Sequence, residues 1–262
     1  MPERLTKEPY IIVLGWDSRE KAAYEVCKHS IEKHTTSPHR IIPLYHKELR
    51  RQGYFQRPWE IESLTGNFRD LMDGRPFSTE FSHTRFLTPL LMKYKGWALF
   101  ADCDMIFRCN IKEIFECTND QFAVMCVKHR QKITKSEKMD GSPQLDYYRK
   151  NWSSFVLWNC GHHANKFLTK EIVNTATGGW LHSFGWLQDH EIGSLPDTYN
   201  WIAESSPGNI EPKVIHYTTG GPWFDNHRDV MFSEEWWKYY RSFNTDLPDP
   251  AVELSTVDYG SI

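Results

Sequence analysis

The sequence has no Cys-x-x-Cys pair, and none of its six cysteines (27, 103, 109, 117, 126 and 160) is spaced with histidine as a zinc site requires. Several sit within strand-like apolar runs, which predicts buried, reduced thiols and a cytoplasmic setting. No apolar run approaches 18 residues, so no membrane span is expected. The opening stretch MPERLTKEPY has no apolar centre, so no signal peptide is expected. There is no basic stripe and the net charge is −3, which argues against a nucleic-acid partner. Asn151-Trp152-Ser153 matches a glycosylation acceptor, a match that has meaning only in a secreted chain and is read here as coincidence. Internal repeats, low-complexity tracts and a clean domain boundary are also lacking. The expectation is one domain over residues 1–262, long enough to bury a sizeable core.

Aromatics are plentiful, at 15% with eleven tryptophans. Flat rings can line a sugar cleft, but most of the eleven are expected in the core. YIIVLG (10–15) is short, β-branched and closed by glycine, the pattern of a buried strand. Residues 16–34 follow with Ala23, Val26, Cys27, Ser30 and Ile31 at helical spacing, and Asp17 or Ser18 is placed to cap them. HRIIPLY (39–45) is a second strand. Strand, helix and strand within 45 residues predict a βαβ unit, hence a parallel sheet and an α/β fold.

Residues 46–77 read as a surface excursion with little regular structure. Residues 78–94 read as a helix capped near Ser78 or Thr79, with Phe86, Leu87, Leu90 and Leu91 inward and Pro89 breaking or kinking it. GWALFADCDMIF (96–107) is the next strand, followed by a short helix at 111–117, a strand in DQFAVMCVKH (120–129), and a polar, lysine-rich loop over 128–148. SSFVLWN (153–159) and KVIHY (213–217) are strands. Residues 165–176 and 188–195 are expected to be helical. GGPWF (220–224) is a turn, and 233–243 a final helix capped by Ser233 that covers the sheet.

The run FADCDMIF sets Asp102 and Asp104 two apart at a strand end. On a strand, residues i and i+2 share a face, so both carboxylates can reach one hard divalent cation, Mg²⁺ or Mn²⁺. In open α/β sheets the ligand crevice lies beyond the carboxyl ends of the strands. A turn that merely favours aspartate is the alternative. HYTTGGPWF supplies His216, a possible third ligand, and Gly220 and Gly221, whose backbone can approach a phosphate. The alternative there is a strand-ending histidine and an ordinary Gly-Pro loop. His162-His163 read as solvent-facing, with adjacent side chains pointing apart on a strand. Lys132, Lys135 and Lys138 read as a solvated loop. Gly178-Gly179-Trp180 reads as either a sugar platform or a helix end with a core tryptophan.

The ordered set of segments resembles the GT-A glycosyltransferases of the glycosyltransferase-8 type, which carry a D-x-D at a strand end and a C-terminal H-x-x-G-x-x-K-P-W. IIVLGWDSREKAAYEVCKHSI, EFSHTRFLTPLL, NWSSFVLWN and LQDHEIGSL resemble, in order, the family's uridine-holding first strand and helix, its pre-D-x-D helix, its N-A-G-x-x-L-x-N strand and its D-Q-D-x-L-N segment. The likeness runs over residues 10–224. It implies a GT-A type fold and, more finely, a single Rossmann-like domain with a mixed, mostly parallel central sheet flanked by helices. It also implies a UDP-sugar donor, Mn²⁺ or Mg²⁺, and a carbohydrate acceptor, with residues 8–127 serving the nucleotide and 128–262 the donor sugar and acceptor. By the same resemblance Asp102, Asp104 and His216 bind the metal, and Asp102 also touches the ribose. Gly15 and Asp17 lie at the uridine and Arg85 near the diphosphate. Asp189, Glu191 and Asn151 are the catalytic candidates beside the donor sugar. Two departures stand out. The motif lysine that grips the diphosphate is missing, which leaves Gly220, Gly221 and Arg85 to replace it. His190 stands where retaining members have glutamine, so the stereochemistry does not carry over. Two rivals remain at this point. A sugar-phosphate nucleotidyltransferase would favour a glycine-rich basic loop after the first strand, and GWDSRE is poor in glycine. A non-catalytic nucleotide-sugar-binding module is kept open by the missing lysine.

Overall fold

The computed structural model describes residues 8–63, 66–129, 149, 151–243 and 255–262. Most of the 128–148 loop, including Lys132, Lys135 and Lys138, lies outside the described residues. In chain order the elements are β1 (Tyr10–Gly15), α1 (Lys21–His34), β2 (His39–Leu44), α2 (His46–Arg51), β3 (Trp59–Ile61), β4 (Phe68–Asp70), β5 (Pro76–Phe77), α3 (Thr88–Leu91), β6 (Trp97–Ala101), β7 (Met105–Phe107), α4 (Ile111–Phe115), β8 (Val124–Cys126), β9 (Phe155–Asn159), α5 (Lys170–Thr175), α6 (Gly178–His182), β10 (Ile192–Ser194), β11 (Trp201–Ile202), β12 (Val214–His216) and α7 (Ser233–Ser242).

The central sheet has the order β10-β8-β9-β6-β1-β2. β1 pairs in parallel with both β2 and β6, and β10 pairs in parallel with β8. β9 is antiparallel to both β6 and β8. Five strands therefore share one direction and β9 opposes them, giving a mixed, mostly parallel sheet. Strands covered on both faces favour continuous apolar runs, and Ile12, Val13, Leu14, Leu99 and Phe100 are all buried. Strands from both halves of the sequence enter this one sheet. α1 buries Ala23, Val26, Cys27, Ser30 and Ile31, the stripe its spacing predicts, and packs on β7 and α7. All eleven tryptophans are buried or partly buried within the apolar clusters. Trp180 is one of them: it is partly buried and packs against the core, with its ring 5.7 Å from Trp186. All six cysteines are free, and only Cys117 is not fully buried.

Four expectations need correction. First, 96–107 is two strands. β6 belongs to the central sheet, whereas β7 pairs antiparallel with β12 in a second sheet of order β11-β12-β7. Asp102, Cys103 and Asp104 are the crossover between the sheets.

Second, residues 46–77 are structured. They hold α2 and a small antiparallel sheet of order β3-β4-β5. Its strands are only two or three residues long, too short for alternation to show in the sequence. A buried ion pair, Arg57–Asp70, anchors it, and Arg57 also donates to the carbonyls of Val173 at 3.2 Å and Ala176 at 2.6 Å.

Third, residues 78–94 form a 3₁₀ turn over Thr84–Leu87 and then the four-residue α3, with Pro89 in its first turn, where a missing N–H is tolerated. Likewise 163–176 is a 3₁₀ turn followed by α5, and 188–195 is a 3₁₀ turn running into β10.

Fourth, the proposed caps do not cap. α1 starts at Lys21, and Asp17 instead accepts from the Arg19 backbone at 2.8 Å and the Glu80 backbone at 3.0 Å. Thr79 and Ser82 bond each other, and α7 is entered through Phe232 at φ 64, with Ser233 already helical.

Removing one partner of a buried ion pair strands the other's charge. Arg57→Met is expected to destabilise the fold by about 3–5 kcal/mol, read from urea unfolding. A second expectation concerns acid. Burial lowers His46 to about 4 and His83 to about 3. These rings stay neutral when folded but protonate near 6.5 when unfolded, so stability is full above that pH and falls as pH drops from about 6.5 toward 4. His83→Gln should flatten this slope by up to about 1.4 kcal/mol per pH unit. Urea titrations at pH 4.5, 5.5 and 7.5 that give equal slopes for wild type and variant would refute it.

Candidate active site

The crossover is held at both ends by backbone hydrogen bonds. Asp102 N–H donates to the Ser154 carbonyl at 2.9 Å, and Tyr217 N–H donates to the Asp104 carbonyl at 3.0 Å. One bond ties it to the entry of β9, the other to the exit of β12. Between the two aspartates Cys103 turns inward and is fully buried, with its thiol 3.5 Å from a Glu20 carboxylate oxygen. Asp102 and Asp104 are left on the other side, at the edge where the parallel strands end.

His216, the last residue of β12, meets Asp104 there. Its Nε2 is 3.3 Å from Asp104 Oδ1, and its Nδ1 pairs with Asn200 Oδ1 at 2.7 Å. Asn200, fully buried at φ 53, in turn donates to Ser154 Oγ at 3.0 Å and to the Asn151 carbonyl at 3.3 Å. The amide can only accept at Nδ1 if that nitrogen carries the proton, which leaves Nε2 as the ligand atom. Sequence reading missed Asn200; a polar residue two positions from a buried histidine strand only in space leaves no linear pattern.

Asp102, Asp104 and His216 each present one ligand atom, all within 4.8 Å of one another. Burial disfavours the ionised Asp104 carboxyl, yet the His216 ring beside it holds the group below the usual carboxylate range. Burial likewise disfavours charge on His216, but Asp104, with Asp102 and Glu204 further off, raises it above the usual imidazole range. Asp104 Oδ1 is shielded from solvent, with His216 Nε2 as its partner. Two carboxylates and an imidazole nitrogen gathered in one small group suit Mn²⁺ or Mg²⁺.

Arg85 is buried at this site, with Nη1 2.8 Å from Asp102 Oδ1 and 2.9 Å from the Ser153 carbonyl. Its guanidinium lies over the adjacent rings of Phe81 and Phe100, at 5.1 and 4.9 Å from their centres. It fixes Asp102 rather than reaching into solvent. Gly15 ends β1 with no room for a side chain: a Cβ there would meet the Phe81 ring at 2.7 Å. Gly221 is likewise a packing glycine, since a Cβ would meet Trp223 at 1.8 Å. Gly220 has φ 131, and its N–H already donates to the Tyr217 carbonyl at 2.8 Å. The turn therefore spends the Gly220 amide on itself.

The catalytic candidates separate. Asn151 sits at φ 61, and its carbonyl accepts from Ser154 Oγ at 2.8 Å as well as from Asn200. Asp189 has a 78% exposed side chain and is paired with the buried Arg149, two residues before Asn151. Glu191 lies elsewhere. Its carbonyl accepts from Ala123 N–H, just before β8, at the edge where the parallel strands begin. There its carboxylate, 3.9 Å from His163, forms a second group with His162 and His163. β9 spans the sheet between the two edges, about 13 Å at a strand's rise. The two histidines are on a turn, not a strand, so their rings lie 4.4 Å apart and do not point apart.

No protein-family model matches the chain. Among solved structures it is similar to the bifunctional glycosyltransferase WbbM (TM-score 0.59, 15% identity, 95% of this chain and 52% of that one). It is also similar to the glycosyltransferase GlyE of Streptococcus pneumoniae TIGR4 (0.56, 14%, 95% and 62%) and to the galactosyltransferase LgtC, solved with donor and acceptor sugar analogs (0.51, 13%, 93% and 99%). The chain thus spans about half of WbbM and under two thirds of GlyE, but nearly all of LgtC. These neighbours have the GT-A fold, so the α/β architecture here is of GT-A type. In sequence the chain is 44% identical to Protein CDI of Arabidopsis thaliana over 246 residues, 92% of this chain and 89% of that one. It belongs to the Protein CDI family.

Proposed function

We propose that this chain is a glycosyltransferase of the glycosyltransferase-8 type that moves a sugar from a UDP-sugar to a carbohydrate hydroxyl and depends on Mn²⁺ or Mg²⁺. The observation that carries the reading is the convergence of Asp102, Asp104 and His216 at the edge where the parallel strands end. Residues remote in sequence are brought there by two sheets and one crossover. A bound divalent ion would supply charge neutralisation to the leaving diphosphate.

The chain's own groups divide the remaining work. Arg85 holds Asp102 in one orientation, and Asn200 holds His216 in one tautomer. Asp17 and Gly15 shape the nucleoside end: Asp17, fully buried, ties the Arg19 and Glu80 amides together beside β1. Asp189, exposed and steered by Arg149, is the carboxylate available to a sugar hydroxyl. Glu191 is left out of this chemistry because it belongs to the opposite edge of the sheet. In this division residues 8–127 serve the nucleotide and 128–262 the sugars. With the motif lysine missing, Gly220 N–H engaged and Arg85 committed to Asp102, little protein charge remains for the diphosphate among the described residues. The ion then carries most of that task, so the requirement for it should be strict.

The same shortage favours a second reading, a nucleotide-sugar-binding module without turnover. Hydrolysis of a panel of UDP-sugars with Mn²⁺ separates the two: release of UDP supports the enzyme, and tight UDP binding with no release from any donor supports the module. For the enzyme, Asp104→Asn and His216→Ala should each weaken Mn²⁺ binding at least tenfold by calorimetry and cut turnover at least a hundredfold, about 2.7 kcal/mol of barrier. Turnover that survives EDTA, or that is unchanged in Asp104→Asn, refutes the metal assignment.

A further inference from the structure

The edge of the sheet opposite the crossover carries a second group of ligating side chains, which the proposed chemistry leaves unused. His162, His163 and Glu191 each offer one ligand atom, all within 4.8 Å of one another. They come from two turns that meet only in space. His162 and His163 lie in the turn that leaves β9, and Glu191 ends the 3₁₀ turn that opens β10. Main-chain bonds hold both turns against one buried residue, Ala123. Its N–H donates to the Glu191 carbonyl at 2.8 Å. Its carbonyl accepts from Asn159 N–H at 3.0 Å and from the side-chain amide of the fully buried Asn165 at 2.7 Å. Asn159 and Asn165 bracket the two histidines. His162 N–H donates to the Asn159 carbonyl, and Asn165 N–H to the His162 carbonyl, both at 3.0 Å. The backbone that carries the three ligands is therefore set by the fold itself.

The side chains add direction. The Glu191 carboxylate is 14% exposed, and its Oε2 accepts the Gln188 N–H at 2.9 Å. That leaves Oε1 toward His163 Nε2 at 3.9 Å, too long for a hydrogen bond. The two imidazole rings lie 4.4 Å apart, tilted by 34°. Two imidazoles and one carboxylate favour Zn²⁺, whereas Mg²⁺ takes mainly oxygen. The crossover group has the opposite balance, two carboxylates and one imidazole. On a tetrahedral zinc with bonds of about 2.1 Å, ligand atoms stand about 3.4 Å apart. His163, with its side chain 83% exposed, can turn to close that difference. His162 Nδ1 accepts the Ala164 N–H at 3.3 Å. Metal binding exchanges this long hydrogen bond for a coordinate bond, since a metallated imidazole carries its proton on the other nitrogen. We propose that His162, His163 and Glu191 form a zinc site that ties the turn after β9 to the turn before β10. The second turn also carries Asp189, held by Arg149, so the zinc steadies the segment from which that carboxylate projects. The proposal does not depend on the glycosyltransferase reading.

The test titrates Zn²⁺ by calorimetry into the full chain as wild type, Asp104→Asn, His163→Ala and Glu191→Gln, with thermal melting of each. His163 is exposed, and a glutamine at 191 can still accept the Gln188 N–H, so both variants at this site are expected to fold. Wild type and Asp104→Asn should share one Zn²⁺-binding event, which separates it from the crossover. His163→Ala and Glu191→Gln should each weaken that event by about a hundredfold, the loss of one of three ligands to the ion. Zn²⁺ should raise the melting temperature of wild type and leave that of His163→Ala unchanged. If Asp104→Asn does not fold, His216→Ala takes its place. Absence of Zn²⁺ binding from the folded crossover variant overturns the site. So does a binding event that both His163→Ala and Glu191→Gln leave unchanged. Either result leaves the glycosyltransferase reading as it stands.

Discussion

The structure turns on the crossover at Asp102–Cys103–Asp104, which is clamped by two backbone hydrogen bonds, Asp102 N–H to Ser154 and Tyr217 N–H to the Asp104 carbonyl. A chain leaving one sheet for another must change direction, and here it does so within three residues. The inward face of that bend is filled by the buried Cys103 thiol. Both carboxylates are thereby forced to the same outer side. Because one clamp is β9's entry and the other is the exit of β12, the crossover also fixes where His216 can be. The packing of two sheets and the placement of Asp102, Asp104 and His216 are one constraint, not two.

Around that bend the polar groups form a chain of orientation. Arg85, lying over the rings of Phe81 and Phe100, sets Asp102. Asn200 sets the His216 tautomer and is itself held by Ser154 and the Asn151 carbonyl. These partners are buried, so each hydrogen bond counts for more than it would at the surface. The negative charge of the two aspartates is met by Arg85 and by His216, which burial disfavours charging but which Asp104 raises above the usual imidazole range. Two carboxylates and an imidazole nitrogen this close together are a donor set that fits a divalent cation.

Much of this was legible before the fold was known. β1, α1 and β2 announce themselves through a β-branched run, a 3–4 apolar spacing and a second apolar run, because central parallel strands and a packed helix leave strong local patterns. Asp102, Asp104 and His216 stood out by residue type and by order along the chain. What stayed hidden was set by tertiary contacts. The split of 96–107 into β6 and β7 is invisible in a continuous apolar run, since both halves are buried. β3, β4 and β5 are too short for alternation, and their anchor, Arg57 with Asp70, joins residues thirteen apart and then α5. Asp189 and Glu191 are two apart in sequence, yet a 3₁₀ turn at the start of β10 sends one to Arg149 and the other to His162 and His163. The glycines of the 220–221 turn also answer to Tyr217 and Trp223, contacts that leave no linear pattern.

The central claim is that the crossover, His216 and the β9 entry build one cation site for a nucleotide diphosphate. Anomalous diffraction from crystals soaked with Mn²⁺ and UDP tests it most directly. The account predicts a manganese peak within coordination distance of Asp102, Asp104 and His216, with UDP phosphate oxygens completing its shell. A peak only at His162, His163 and Glu191, or UDP bound with no metal at the crossover, would contradict it.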